Sequence, residues 1–172
     1  MASKGPTFMK TLLLLRHAKS RWGDASLPDH DRPLNSRGQR DAPRMGQWIR
    51  EQGLCPRLIA SSTAVRAETT AQCVAQECGY PGDLVLVPQL YLGYPSDYVN
   101  YLQTVGDESP RVLIVGHNPG LEQLLELLTG LQERLPTATL AQITWEDSSW
   151  ADMANLPTGQ LVAVQRPKKL SF

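Results

Sequence analysis

Thr11-Leu12-Leu13-Leu14-Leu15-Arg16-His17 is the stretch on which the reading of this chain turns. Four leucines in a row show no polar alternation, and a charged residue ends the run. A short apolar run without alternation is what a strand covered on both faces requires. Similar runs recur at 58–61, 84–87, 112–115, 140–145 and 161–165.

Helix signals lie between the runs. Ser36-Arg37-Gly38-Gln39 fits a capping box for a helix reaching Gln52, with Gly53 past its end and Pro43 as a proline that bends or delays it. Thr63 is placed to cap a helix over 64–78 that stops at Gly79, and a weaker pattern covers 96–104. Asn118-Pro119 suits the start of a helix over 120–128, whose apolar stripe is Leu121, Leu124, Leu125 and Leu128. Strands alternating with helices predict a three-layer α/β/α fold on a mostly parallel six-stranded sheet. Residues 9–172 read as a single domain, and residues 1–8 as a poorly ordered extension before a second possible start at Met9.

Composition narrows the function. The 172 residues are 41% hydrophobic and 20% charged, ordinary values for a soluble globular protein. No run approaches the ~20 apolar residues of a membrane span, and no small-residue cleavage site follows 12–15 as a signal peptide would need. Cys55, Cys73 and Cys78 are odd in number and lack metal-ligand spacing; they read as small apolar residues in a reducing cytosol, with no metal and no cofactor expected. Net charge is zero, yet residues 1–66 hold 12 Lys/Arg against 5 Asp/Glu. Such a basic half fits a nucleic-acid surface, a pocket for a small anion, or halves that interleave on folding.

In an open α/β sheet, ligands bind beyond the carboxyl ends of the strands. Arg16 and His17 follow the first run, Ser61, Ser62 and then Arg66 the second, and Gly116, His117 and Asn118 the fourth. The chain has three histidines, and two occupy such ends. Guanidinium forks hold a tetrahedral oxyanion, one neutral imidazole can attack phosphorus, and a second can stabilise charge during transfer. Backbone N–H groups of the helix after Asn118 would add to the anion site. The set predicts metal-free phosphoryl transfer in one cleft, with His17 and His117 within ~10 Å of each other.

At these residues the chain resembles the histidine phosphatase, or phosphoglycerate-mutase-like, superfamily. The resemblance is carried by Arg16-His17-Ala18-Lys19, by Asp31-Arg32-Pro33-Leu34 with Arg37-Gly38, by Ser61-Ser62-Thr63-Ala64-Val65-Arg66, and by Gly116-His117-Asn118, in family order over roughly residues 10–130. It is nearest to the small SixA-type phosphohistidine phosphatases, because long roofing insertions are missing. It implies a phosphoglycerate-mutase-like fold and a nucleophile at His17. It implies that Arg16, Arg32, Arg66 and His117 bind the phosphoryl group. Ser20 is either an added hydroxyl ligand or a plain loop serine.

The departures bear on substrate. Mutase-like members carry a proton-donating acid in a loop that here reads Gln89-Leu90-Tyr91-Leu92-Gly93-Tyr94-Pro95-Ser96-Asp97, without a glutamate. Asp97 is its nearest carboxylate, and an aspartate near a helix start is usually a cap. An alkoxide needs a proton to leave; imidazole, whose conjugate acid has a pKa of ~6.5, does not need an enzymic acid. The expected partner is thus a protein carrying phosphohistidine, with a small phosphorylated metabolite as the alternative and a non-catalytic phospho-ligand module as the other class. Nucleic acid and membrane are not expected partners, and no oligomeric state is legible. His30 reads as solvated, and Trp145 and Trp150 as packing residues.

Overall fold

The computed structural model describes residues 9–155 and 157–171; the proposed extension at 1–8 lies outside the described residues. Six strands, β1 (Lys10–Arg16), β2 (Leu58–Ser61), β3 (Val85–Leu86), β4 (Arg111–Gly116), β5 (Leu140–Trp145) and β6 (Gln160–Gln165), form one sheet in the order β3-β2-β4-β1-β5-β6. β3, β2, β4 and β1 run parallel, β5 pairs antiparallel with β1, and β6 antiparallel with β5. The sheet is therefore mixed, with β5 alone reversed.

The helices are α1 (Ser36–Glu51), α2 (Val65–Cys78), α3 (Pro95–Leu102) and α4 (Gly120–Thr129). They divide between the two faces because β1 buries its leucines both ways. Leu13 and Leu15 join Ala42, Met45 and Ile49 of α1 and Ala67, Ala71 and Val74 of α2. Leu12 and Leu14 join Tyr98 and Leu102 of α3 and Leu121, Leu124 and Leu125 of α4. All four leucines are fully buried. This two-sided burial is the reason the run carries no alternation.

Local details correct the sequence reading. The cap of α1 is Asn35, whose side chain accepts from Gly38 N–H at 2.9 Å, not Ser36. Pro43 lies inside an unbroken α1, whose buried Met45 and Ile49 offset the one backbone bond it removes. Thr63 does not cap α2; Ala64 stands at that position, and Ser62 Oγ accepts its N–H at 3.2 Å. Asn118 likewise lies one residue outside the cap of α4, which is Pro119. Trp145 and Trp150 are buried and meet edge to face, as packing residues.

Two glycines permit close approaches around the carboxyl ends of β1 and β4. A Cβ at Gly38 would strike the backbone carbonyl of Lys19, so only glycine lets α1 close on the loop after β1. A Cβ at Gly116 would strike the Tyr98 hydroxyl, which accepts the backbone N–H of His117 at 3.2 Å.

Candidate active site

β1 and β4 are neighbours, but β1 leads to α1 on one face and β4 to α4 on the other. Their carboxyl ends therefore open a crevice between diverging chains, the switch point where such sheets bind ligands. Arg16, ending β1, is in register with Gly116, ending β4. The next residues are His17 and His117, and their ring centroids lie 5.1 Å apart. Arg16, His17, Ser20, Arg32, Arg66 and His117, the six residues singled out in the sequence, line one cleft of about 330 Å³. Lys19, Trp22, Asp29, Leu92, Asn118 and Thr137 complete its walls. A larger hollow of about 440 Å³ beside Glu122 and Glu126 contains no histidine and lacks this chemistry.

His17 is held by its own loop. Its Nδ1 lies 2.7 Å from the Ala18 carbonyl. A carbonyl only accepts, so Nδ1 carries the hydrogen and Nε2 keeps its lone pair. Burial, aided by the charges of Arg66, Arg16 and Arg32, brings its pKa down to about 4. The ring is therefore neutral near pH 7 and nucleophilic at Nε2.

His117 is held across the sheet. Its Nε2 lies 2.7 Å from Ser62 Oγ. Since that oxygen already accepts the Ala64 N–H, its own hydrogen is free to point to Nε2. That arrangement puts the ring hydrogen on Nδ1, which is buried without a protein partner. Burial first, then the neighbouring His17 and Arg66, pushes its pKa down to about 3.

The arginines differ in how much they keep free. Arg16 spends Nη1 on the Leu135 carbonyl at 3.0 Å, and its Nε is buried and unpartnered. Arg66 donates through Nη1 to the Asp29 carbonyl at 2.7 Å and through Nη2 to the Asp29 carboxylate at 3.0 Å, and its Nε is also unpartnered. Arg32 sends Nε and Nη2 to Asp29 Oδ1 at 3.0 and 2.9 Å, and Nη1 to Ser20 Oγ at 2.6 Å and the Arg21 carbonyl at 2.9 Å. One N–H of Arg32 remains, and the exposed Trp22 ring covers its guanidinium at 3.8 Å. Buried donors without partners are uncommon, and their gathering in one cleft is what an anion site requires.

Sequence reasoning missed Asp29 and Tyr91. The Tyr91 hydroxyl donates to Asp29 at 2.7 Å, and its ring stands edge-on to His117. The available signal was spacing: Asp29 precedes Arg32 by three residues, one turn of the short 3-10 helix Asp29–Asp31. His30 is not merely solvated, since it bonds Thr63 Oγ1 at 2.9 Å and packs against Tyr91. Asp97 lies outside the cleft lining; it is the third residue of α3, and its carboxylate accepts the N–H of the capping Tyr94 at 2.7 Å, as in a capping box. Among the described residues no group of three or more His, Cys, Asp or Glu side chains could hold a metal ion, and no helix is long and apolar enough to cross a membrane.

Comparison with known proteins agrees with this geometry. The sequence profile of the histidine phosphatase superfamily (branch 1) matches residues 12–90. An uncharacterized chloroplastic protein of Arabidopsis thaliana is 32% identical over 160 residues, which are 88% of this chain and 73% of the relative. Phosphohistidine phosphatase SixA of Escherichia coli is 29% identical over 146 residues, 80% of this chain and 86% of that one. The crystal structure of a protein from Agrobacterium tumefaciens assigned as a phosphohistidine phosphatase SixA superposes with a TM-score of 0.78 at 28% identity, covering 92% of this chain and 98% of that one. With its α/β fold and paired strand-end histidines, the chain belongs to the histidine phosphatase superfamily.

Proposed function

We propose that this chain, as one catalytic domain over residues 9–172, is a metal-independent phosphatase that carries the phosphoryl group on His17 and takes it from phosphohistidine in a protein. The observation that carries the reading is the bare Nε2 of a neutral His17, fixed by the Ala18 carbonyl inside a cleft of three arginines and a second imidazole. Nε2 attacks phosphorus and the substrate P–N bond breaks; the substrate imidazole, already protonated from water at its other ring nitrogen, takes the bonding pair and leaves as a neutral ring. Arg16, Arg66 and the remaining N–H of Arg32 hold the non-bridging oxygens, and His117 adds a donor at Nδ1. Water then attacks the phosphorylated His17, releases inorganic phosphate and restores the ring.

The substrate assignment rests on the leaving group. Asp97 is held in the capping box of α3, so an alkoxide finds no acid there, whereas imidazole departs at neutral pH without one. Trp22 is 73% exposed and Leu92 is 54% exposed at the cleft wall, which leaves the site open to a side chain presented on a protein surface. The named E. coli relative supports the same choice. A module that only binds phosphate would need the arginines but not a poised His17. Rapid-quench labelling tests the reading: a phosphorylated peptide should place phosphate on His17, and a phosphohistidine peptide should outpace sugar phosphates. Faster turnover of a sugar phosphate would transfer the assignment to a small-molecule phosphomonoesterase.

A further inference from the structure

Among the described residues that line the cleft, Asp29 is the only carboxylate. A carboxylate in a phosphoryl-transfer site has two principal uses: to pass a proton to the leaving group, or to fix the cations that grip the phosphate. Asp29 accepts from Arg32 Nε and Nη2 on Oδ1, and from Arg66 Nη2 and the Tyr91 hydroxyl on Oδ2. Its backbone carbonyl takes Arg66 Nη1 as well. Every one of these donors favours the ionised form. The bond from Tyr91 and those from Arg32 and Arg66 hold the group well below the usual carboxylate range, so it has no proton to give near neutrality.

Resting on the phosphatase reading above, we infer that Asp29 is a positioning residue: its carboxylate locks the guanidinium forks of Arg32 and Arg66 in the one orientation that aims their remaining N–H bonds at the phosphoryl group. A misplaced fork costs rate even when it still attracts the anion, because transfer depends on alignment.

The test measures kcat and KM of Asp29→Ala, Asp29→Asn and Tyr91→Phe on a phosphohistidine peptide, p-nitrophenyl phosphate and phenyl phosphate. Asp29→Ala should lower kcat about 10²-fold, by a similar factor for all three substrates and with an unchanged pH profile. Asp29→Asn retains an acceptor oxygen and should recover part of the loss. A loss concentrated in phenyl phosphate, or the disappearance of one limb of the pH profile, would make Asp29 a general acid and overturn the inference. So would variants that lose less than about threefold beside a wild type that turns over normally. If Asp29→Ala does not fold, the gentler Asn and Phe variants decide by the same uniformity across leaving groups. A wild type inactive on all three substrates removes the phosphatase reading and this inference with it.

A second observation stands apart from the cleft. Cys55, just before β2, and Cys78, the last residue of α2, have their sulfur atoms 3.4 Å apart, while neither pairs with Cys73. A disulfide needs an S–S distance of about 2.05 Å, so the two sulfur atoms must approach by a little over an ångström. Cys55 also lines a surface hollow of about 360 Å³ with Arg57, Tyr80 and Arg111, so a reagent can reach it, whereas Cys78 is buried. The geometry points to Cys55–Cys78 as a site of reversible oxidation by a glutathione-class disulfide. The Cys55 thiolate attacks one sulfur of the oxidised tripeptide and expels the first thiolate. Cys78 then attacks the Cys55 sulfur, gives up its proton and expels the second. Two protein thiols are oxidised and one disulfide is reduced.

Incubation of the folded chain with oxidised glutathione should yield a product lighter by two hydrogens, with Cys55 and Cys78 joined in the peptide map. Cys73→Ser should react alike, and Cys78→Ser should stop at a stable glutathione adduct on Cys55. A stable adduct on Cys55 in the wild type, or no reaction, overturns the proposal; mapping on the wild type alone decides it should a variant not fold.

Discussion

The loops after β1 and β4 begin alike and diverge in how they hold a ring. Each places a histidine one residue past the carboxyl end of a central parallel strand, and each ring is buried and neutral near pH 7. His17 is tied at Nδ1 to the adjacent backbone carbonyl, a fixed acceptor that leaves Nε2 bare. His117 is tied at Nε2 to a hydroxyl on another strand's loop, which leaves Nδ1 free to donate. Fold position alone thus does not set the role of a strand-end histidine; the partner of its other nitrogen does. In the proposed mechanism one ring attacks and the other donates.

The largest effect that could break this contrast comes from exchanging the attacker. His17→Asn should lower turnover about 10⁴-fold or more and abolish covalent labelling, while the arginines still bind tungstate or phosphate. His117→Asn should cost less, about 10²- to 10³-fold, with phosphate still trapped on His17 by rapid quench. Equal losses with no trapped intermediate in either variant would mean the two rings are not divided between attack and donation.

Both rings also impose a pH dependence of the same sign. Each takes up its proton in the unfolded chain near pH 6.5, but in the folded chain only near pH 4 for His17 and pH 3 for His117. Between these values the unfolded state binds more protons, so stability is fully present above about 6.5 and falls as pH drops toward 4. His17 alone accounts for about 3 kcal/mol by pH 4, with His117 acting in the same direction. Urea midpoints from pH 7 to 4.5 should show the decline, and either Asn variant should flatten it. A midpoint that stays level over that range would mean the rings are far less buried from protons than the geometry states.

The contrast also marks how far the sequence was readable. Apolar runs pointed to all six strands. Two-sided burial explains the central ones, 12–15 most clearly, whereas β3 is exposed and β6 at most half-buried, so their runs reflect β propensity rather than burial. The reversal of β5 left no such mark, since pairing direction depends on which strand lies alongside, not on the run itself. Part of the basic first half meets in the cleft, which Arg16, Lys19, Arg32 and Arg66 line, while Lys10, Arg37, Arg40 and Arg44 bond elsewhere. The capping residues slipped by one position, and Asp29 and Tyr91 stayed hidden. Their function lies in bonds over 37 and 62 residues of sequence, which no local pattern reports.

A finer probe is Ser62→Ala, which removes only the partner of His117. The ring would keep its burial but lose the bond that selects its tautomer, and one buried hydrogen bond is worth about 1 kcal/mol. Turnover should fall about tenfold, with labelling at His17 intact. No change would show that the ring hydrogen sits on Nδ1 without help from Ser62.

The smallest effect belongs to Asp97, and it sharpens the comparison by testing whether a third proton donor exists. Its carboxylate accepts the Tyr94 N–H at 2.7 Å at the start of α3, outside the cleft lining. An amide at that position still offers an oxygen to the same N–H, so Asp97→Asn should cost at most about 1 kcal/mol of stability in a thermal melt. Turnover of phosphohistidine and of aryl phosphates should be unchanged, because imidazole and phenolates depart without an enzymic acid. Alkyl phosphates should be poor substrates for wild type and variant alike. Efficient hydrolysis of an alkyl phosphate by the wild type, lost on Asp97→Asn, would mean that α3 moves to bring this carboxylate into the cleft. The two histidines would then no longer account for the chemistry between them.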